Sequence, residues 1–262
     1  AASLEKYLLL KDWSRDYDFP NKKLMVFSLK DESLVIPASE TYKDFYMVLP
    51  RVIESLSEIY DKTISDVIKE IMSSYYDLLQ FRIKSEVSND GELPLVYASN
   101  CIEGLKELVL YSACAEVNAE AVCLRATNSA KQILDHFRLA QTEVGSFVIN
   151  IDIRVMDEEN EQFLLPGCQP DFPLEHKVVR RIGRAIHQID EIVRGKSQMD
   201  EVLPTAYEAG ITANMCDALM KLKPQNADVE IETKIRYASV LSQRVDDVES
   251  VQIRGNHFYV ID

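Results

Sequence analysis

Glu232-Thr233-Lys234 puts a carboxylate and an ammonium two residues apart in an alternating apolar run, so both face one side of a strand. Nucleases that hold a divalent metal on a carboxylate beside a lysine need such a pair, plus an acid on a neighbouring strand. Asp152, in VINIDIR, is the available acid. Together Asp152, Glu232 and Lys234 form the candidate catalytic set for phosphodiester cleavage. A three-residue pattern also arises readily by chance in a chain with 43 acidic residues. No Gly-rich phosphate loop, HExxH or GxSxG accompanies it. Cys168 and His176 are the nearest cysteine and histidine in sequence, and nothing in their spacing makes them a nucleophile and its base.

A second cluster could bind rather than react. In EHKVVRRIGRAIHQIDEIVRG, His176, Arg180, Arg184, His187 and Arg194 fall in one quadrant of a helix, opposite Val179, Ile182, Ile186 and Ile189. Arg180, Arg184 and His187 are the candidates for phosphate or acidic-surface recognition. A solvated face balancing an acidic protein is the plainer account. The two histidines sit three turns apart, too far to share a metal, so neither a metal nor a cofactor is expected here. Residues 176–196 carry six Lys/Arg against two Asp/Glu, in a chain of formal charge −14. That overall charge disfavours wholesale nucleic-acid binding, which requires cations to displace counterions.

These groups need elements to place them. RLAQTEVGSFVINIDIRV reads as the end of a helix, a polar step, and an alternating strand from Phe147 with one buried face. Arg138, Gln141, Thr142 and Glu143 are recognition candidates in that step, where side chains also cap helix ends. In YEAGITANMCDAL, Gly210 ends one helix and Thr212 caps the next, with Asn214 and Cys216 either lining a pocket or packing closely. LMVFSL and SLVIP flank a Lys30-Asp31-Glu32 turn as a hairpin. Helices are expected at 3–12 with Ser3 as cap, at 39–60, after Thr63 or Ser65 with Ile64, Val67, Ile68 and Ile71 on one face, at 96–117, and from Thr127 or Asn128 to Leu139. LLQFRIKSEV closes at Asn89-Asp90-Gly91, and the end reads as strands through ADVEIETKIRYASV, SVQIRG and HFYVI.

Segregated helices and strands predict an α+β protein, with a small N-terminal α-β-β-α unit over 1–62 and a larger α+β domain over 63–262. No apolar run is long enough to span a bilayer. Five scattered cysteines without a CxxC pair suggest a reducing cytoplasm rather than a disulfide framework. The chain opens at AASL and closes at HFYVID, which suggests a domain of a longer polypeptide.

RLAQTEVGSFV is similar to an RLGQTE-x-GS-[FY]-V segment, and GITANMCDAL to a G-[VI]-S-A-N-L-C-[ED]-A-L segment, of a bacterial protein family without an assigned activity. The opening order of helix, tryptophan, two strands, Pro37 and long helix resembles that family too. Ala140 and Thr212 replace its glycine and serine. The resemblance implies a bacterial origin and a recurrent architecture, not a reaction. The N-terminal order is also similar to small HicA-like toxins, whose catalytic histidine has no counterpart before His136. The expectation is therefore a non-enzymatic interaction, sensing or assembly module that binds a protein partner or itself, in an antiviral or stress setting. The alternatives are the Asp152/Glu232/Lys234 nuclease and a nucleic-acid binder acting through helix 176–194.

Overall fold

Alternating apolar residues in LMVFSL and ESLVIP make two strands, and a two-residue turn at Lys30-Asp31 joins them, with Lys30 at a φ of 53°. This computed structural model describes residues 1–85, 92–118, 121–140, 147–155, 172–225, 228–242 and 248–262. The chain divides into two compact units, and the fold is α+β with antiparallel sheets.

The first unit runs from Ala1 to Tyr76 and takes in the segment that starts at Ala238. Helix α1 (Ala2–Leu10) leads into a three-stranded sheet of β1 (Ser14–Arg15), β2 (Leu24–Leu29) and β3 (Glu32–Pro37). Helices α2 (Phe45–Tyr60) and α3 (Ile64–Ser73) follow. Their apolar faces share one core: Tyr7, Leu8, Trp13, Phe27, Ile36, Leu56, Val67 and Ile71 are all buried in it. Because Val67 and Ile71 belong to that core, this unit extends past residue 62 and includes α3. Two buried rings find polar partners: Trp13 donates its indole N–H to Tyr60 Oη at 2.7 Å, and Tyr7 donates to Glu70 at 3.0 Å. Lys11 and Lys62 also reach Glu70.

Local chemistry corrects several expectations here. Ser3 does not cap α1; the helix starts one residue earlier, and Ala1 takes the cap position. The second helix starts at Phe45, not Ser39. Ser39 and Thr41 hydrogen-bond each other and the local backbone, which competes with helix. Thr63 rather than Ser65 caps α3, accepting from the Asp66 N–H. Ile64 and Ile68 stay on the exposed side of α3.

The second unit is built on a five-stranded sheet in the order β5-β6-β4-β7-β8. Its strands are β4 (Tyr76–Ser85), β5 (Arg138–Leu139), β6 (Phe147–Arg154), β7 (Val229–Arg236) and β8 (Val248–Ile253). Helix α4 (Leu95–Asn118) packs against α5 (Asn128–Leu134), α6 (Leu174–Val193) and α8 (Ala213–Met220). The short α7 (Met199–Val202), with a 3-10 turn at Leu203–Thr205, precedes α8. Two further helices are α9 (Ser239–Ser242), in the first unit's segment, and α10 (Gly255–Ile261). Among the described residues no helix is long and apolar enough to cross a membrane.

Other readings change in this unit. The helix that begins after Thr127 stops at Leu134, so Arg138 and Leu139 are already strand. HFYVI is helix α10 rather than strand: His257, Phe258 and Ile261 are buried at helical spacing, while Tyr259 is exposed. The Thr212 reading holds, but Gly210 closes a turn over residues 206–210 rather than a helix, since the 3-10 turn before it stops at Thr205. Gly210 has a φ of +94° and lies so close to α6 that a Cβ would meet Arg181 O at 2.7 Å. Thr212 Oγ1 accepts from Met215 N. Asn89-Asp90-Gly91 lies outside the described residues.

Gly210→Ala should therefore cost about 1–3 kcal/mol, measured by urea denaturation. Gly255→Ala, with no atom near the added carbon, should leave stability unchanged.

Candidate functional site

Period-2 alternation sorts the strands of the second unit into two faces. Leu79, Phe81 and Ile83 on β4, and Ile231, Thr233 and Ile235 on β7, are buried on the odd-numbered face. Helix α6 lies against that face: a Cβ on Gly183 would touch Tyr237 Oη, Glu249 Oε2 and Ile235 Cδ1. The even-numbered face carries the polar residues. Cross-strand pairs put Arg138 opposite Asp152, Gln80 opposite Lys234, Arg82 opposite Glu232, and Lys84 opposite Glu230. Lys234 and Glu232 in turn face Ser250 and Gln252 on β8. The side-chain bond from Gln80 to Asn150, at 2.9 Å, ties β4 to β6 on this same face.

The face therefore holds six cations, Arg82, Lys84, Arg138, Arg154, Lys234 and Arg236, against three carboxylates, Asp152, Glu230 and Glu232. All nine are partly or fully exposed. Each acid lies near two cations. Glu230 meets Lys84 at 3.4 Å and Arg254 at 3.0 Å. Glu232 lies opposite Arg82 and 3.6 Å from Lys84. Asp152 lies opposite Arg138 and feels the charge of Arg236. Burial pushes the Asp152 carboxyl above the usual range, and Arg236 only partly offsets this. Where the face ends, Lys84, Glu230, Arg254 and Asn256 line an open groove of about 700 Å³.

The sheet thus brings Arg138, Asp152, Glu232 and Lys234 onto one face, but it does not assemble a metal site from them. β4 lies between β6 and β7, so Asp152 and Glu232 are separated by two strand spacings, about 9.6 Å. Along β7, Arg236 (the charge Asp152 feels) is four residues from Glu232, about 13 Å. Among the described residues no cluster of three His, Cys, Asp or Glu could hold a metal ion.

The helix candidates lie elsewhere. His176 is not on the exposed basic side of α6: it is 1% exposed, and its Nδ1 is 2.8 Å from Asp77 Oδ2 on β4. Its Nε2 is buried without a hydrogen-bond partner, and Phe172 and Tyr237 pack against the ring. Arg180 stacks over those same two rings. Arg184 lies 3.8 Å from Glu116, His187 lies 3.7 Å from Glu191, and Arg194 is bonded to Asp190 at 2.7 Å. These side chains are each engaged within the protein.

Gln141, Thr142, Glu143 and Cys168 lie outside the described residues. Cys216 and Cys101 are held as thiols, since burial pushes each up to about 11. Asn214 is engaged within the fold: it accepts from Cys123 N at 2.7 Å and donates to Cys123 O. Asp77, Glu116 and His257 drew no attention in the sequence, because their partners lie 99, 65 and 67 residues away. No family model, curated protein or solved structure matches the chain.

Two carboxylates should respond oppositely to neutralisation. Burial opposes the Asp190 charge, but hydrogen bonds from His257 and Arg194 outweigh it and hold the carboxyl below the usual range. Its contribution is present above the unfolded value of about 3.9 and is lost as pH falls through the lower folded value. Asp190→Asn should lower Tm at pH 7, with the gap closing below about pH 4. Asp152, raised in the folded state, costs stability once ionised, so Asp152→Asn should raise Tm at pH 7 and lose that advantage below about pH 4. Thermal melts across pH 3 to 7 check both signs.

Proposed function

We propose that the chain is a non-enzymatic interaction and assembly module that receives a protein partner on the even-numbered face of its second sheet. The observation that carries this reading is the excess of cations on that face, in a chain whose formal charge is −14. Such local concentration of one sign against an opposite background steers association and sets orientation. It moves the interaction surface away from helix 176–194, where Glu116, Asp190, Glu191 and two aromatic rings already engage the cations. Phosphodiester cleavage finds less support, since Asp152 and Glu232 are held apart by β4.

Charge reversal tests the surface. Lys234→Glu/Arg236→Glu should abolish co-purification of a cellular partner under conditions where Arg184→Glu/His187→Glu retains it. Quantitative mass spectrometry of material bound to the tagged proteins measures this, with matched melting temperatures as the folding control. If both variants keep the same bound proteins, or lose them equally, the sheet face is not the docking surface.

A further inference from the structure

We infer that the occupant of this face is an acidic protein segment that brings carboxylates to Arg138, Lys234 and Arg236. The inference rests on the preceding reading of the face as a docking surface and adds the chemistry of what docks.

The first argument is charge complementarity. Lys234 stands between uncharged Gln80 and Ser250 and makes no ion pair among the described residues. Arg236 likewise makes no close ion pair among them; its charge acts on Asp152 from a distance. Arg138 spends its hydrogen bonds on the carbonyls of Asp135 and Phe137 and makes no ion pair among the described residues, although Asp152 stands opposite it in register. A carboxylate satisfies an exposed guanidinium in two parallel bonds, as a phosphate also does.

The second argument separates a protein from a nucleic acid, the other common polyanion. Asp152, Glu230 and Glu232 are interleaved with the cations. A phosphodiester chain carries a charge at every nucleotide and cannot omit one where a carboxylate stands opposite. A polypeptide can place acids against Lys234 and Arg236 and neutral or basic residues against the glutamates. The interleaved carboxylates then act as the repulsive element that excludes polyphosphate.

Fluorescence anisotropy with two labelled probes tests this: a Glu-Ser repeat peptide and oligothymidylate of matched length, at about 50 mM and about 200 mM salt. The peptide should bind with a marked salt dependence and at least about tenfold more tightly than the oligonucleotide. Lys234→Gln/Arg236→Gln should weaken the peptide about tenfold. If the double variant melts early, Lys234→Gln alone, flanked by uncharged neighbours, keeps the test intact. Oligothymidylate binding equally or more tightly would overturn the occupant while leaving the docking face standing. No peptide binding, or peptide binding indifferent to both variants, would also overturn the inference. Failure of the docking face itself would show separately, as a partner still captured by Lys234→Glu/Arg236→Glu.

Discussion

Everything in the second unit depends on how α6 is held, and buried polar groups hold it. A buried charge or hydrogen-bonding group left alone is costly, so each such group on α6 admits few arrangements. His176 meets Asp77 on β4, Arg181 meets Glu116 on α4 at 2.6 Å, and Asp190 meets His257 on α10 at 3.0 Å. Three neighbours are thereby tied to one helix at three points along its length. Removing one partner of any pair leaves the other buried and unmatched, which is why these pairs enforce position more than they add stability. Gly183 and Gly210 complete the arrangement by letting the sheet's side chains and the turn before α8 approach the helix backbone.

From that placement the asymmetry of the sheet follows. With α6 against the odd-numbered face, Leu79, Phe81, Ile231 and Ile235 are sealed, and the even-numbered residues of β4 and β7 become the more exposed set, while Val148 and Asn150 on β6 stay buried. Antiparallel pairing then decides which charges become neighbours. Arg138 and Asp152 are fourteen positions apart in sequence and directly opposite in space; Arg82 and Glu232 are separated far more widely and are just as close in register. The mixture of cations and carboxylates on this face is therefore a product of register. The docking reading and the acidic-segment inference both stand on that register.

Local signals were legible where the chemistry is local. Thr63, Thr127 and Thr212 each accept a hydrogen bond from the N–H three residues on, as their positions ahead of apolar periodic runs foretell. The alternation of β4 and β7 separated buried from exposed positions without reference to any partner. The helix end expected at Leu139 fails for an equally local reason. Helix α5 ends at Leu134, and Arg138 and Leu139 alternate over too few residues to announce a strand; only pairing with β6 makes them one. Helical spacing groups His176 with the exposed arginines by angle alone and carries no information about which polar residues have buried partners.

Sequence alone determined the α+β class, the faces of β4 and β7, the hairpin at Lys30-Asp31, the threonine caps, and the acidic balance of the chain with its local basic stretches. Each of these depends on residues within a turn or two of one another, or on composition. Tertiary structure decided that Asp152 and Glu232 lie apart across β4, that Asp77 and Glu116 receive α6, and that Lys234 and Arg236 share an exposed face with Arg138. These depend on strand order and on long-range pairing of buried polar groups, which side-chain periodicity does not encode.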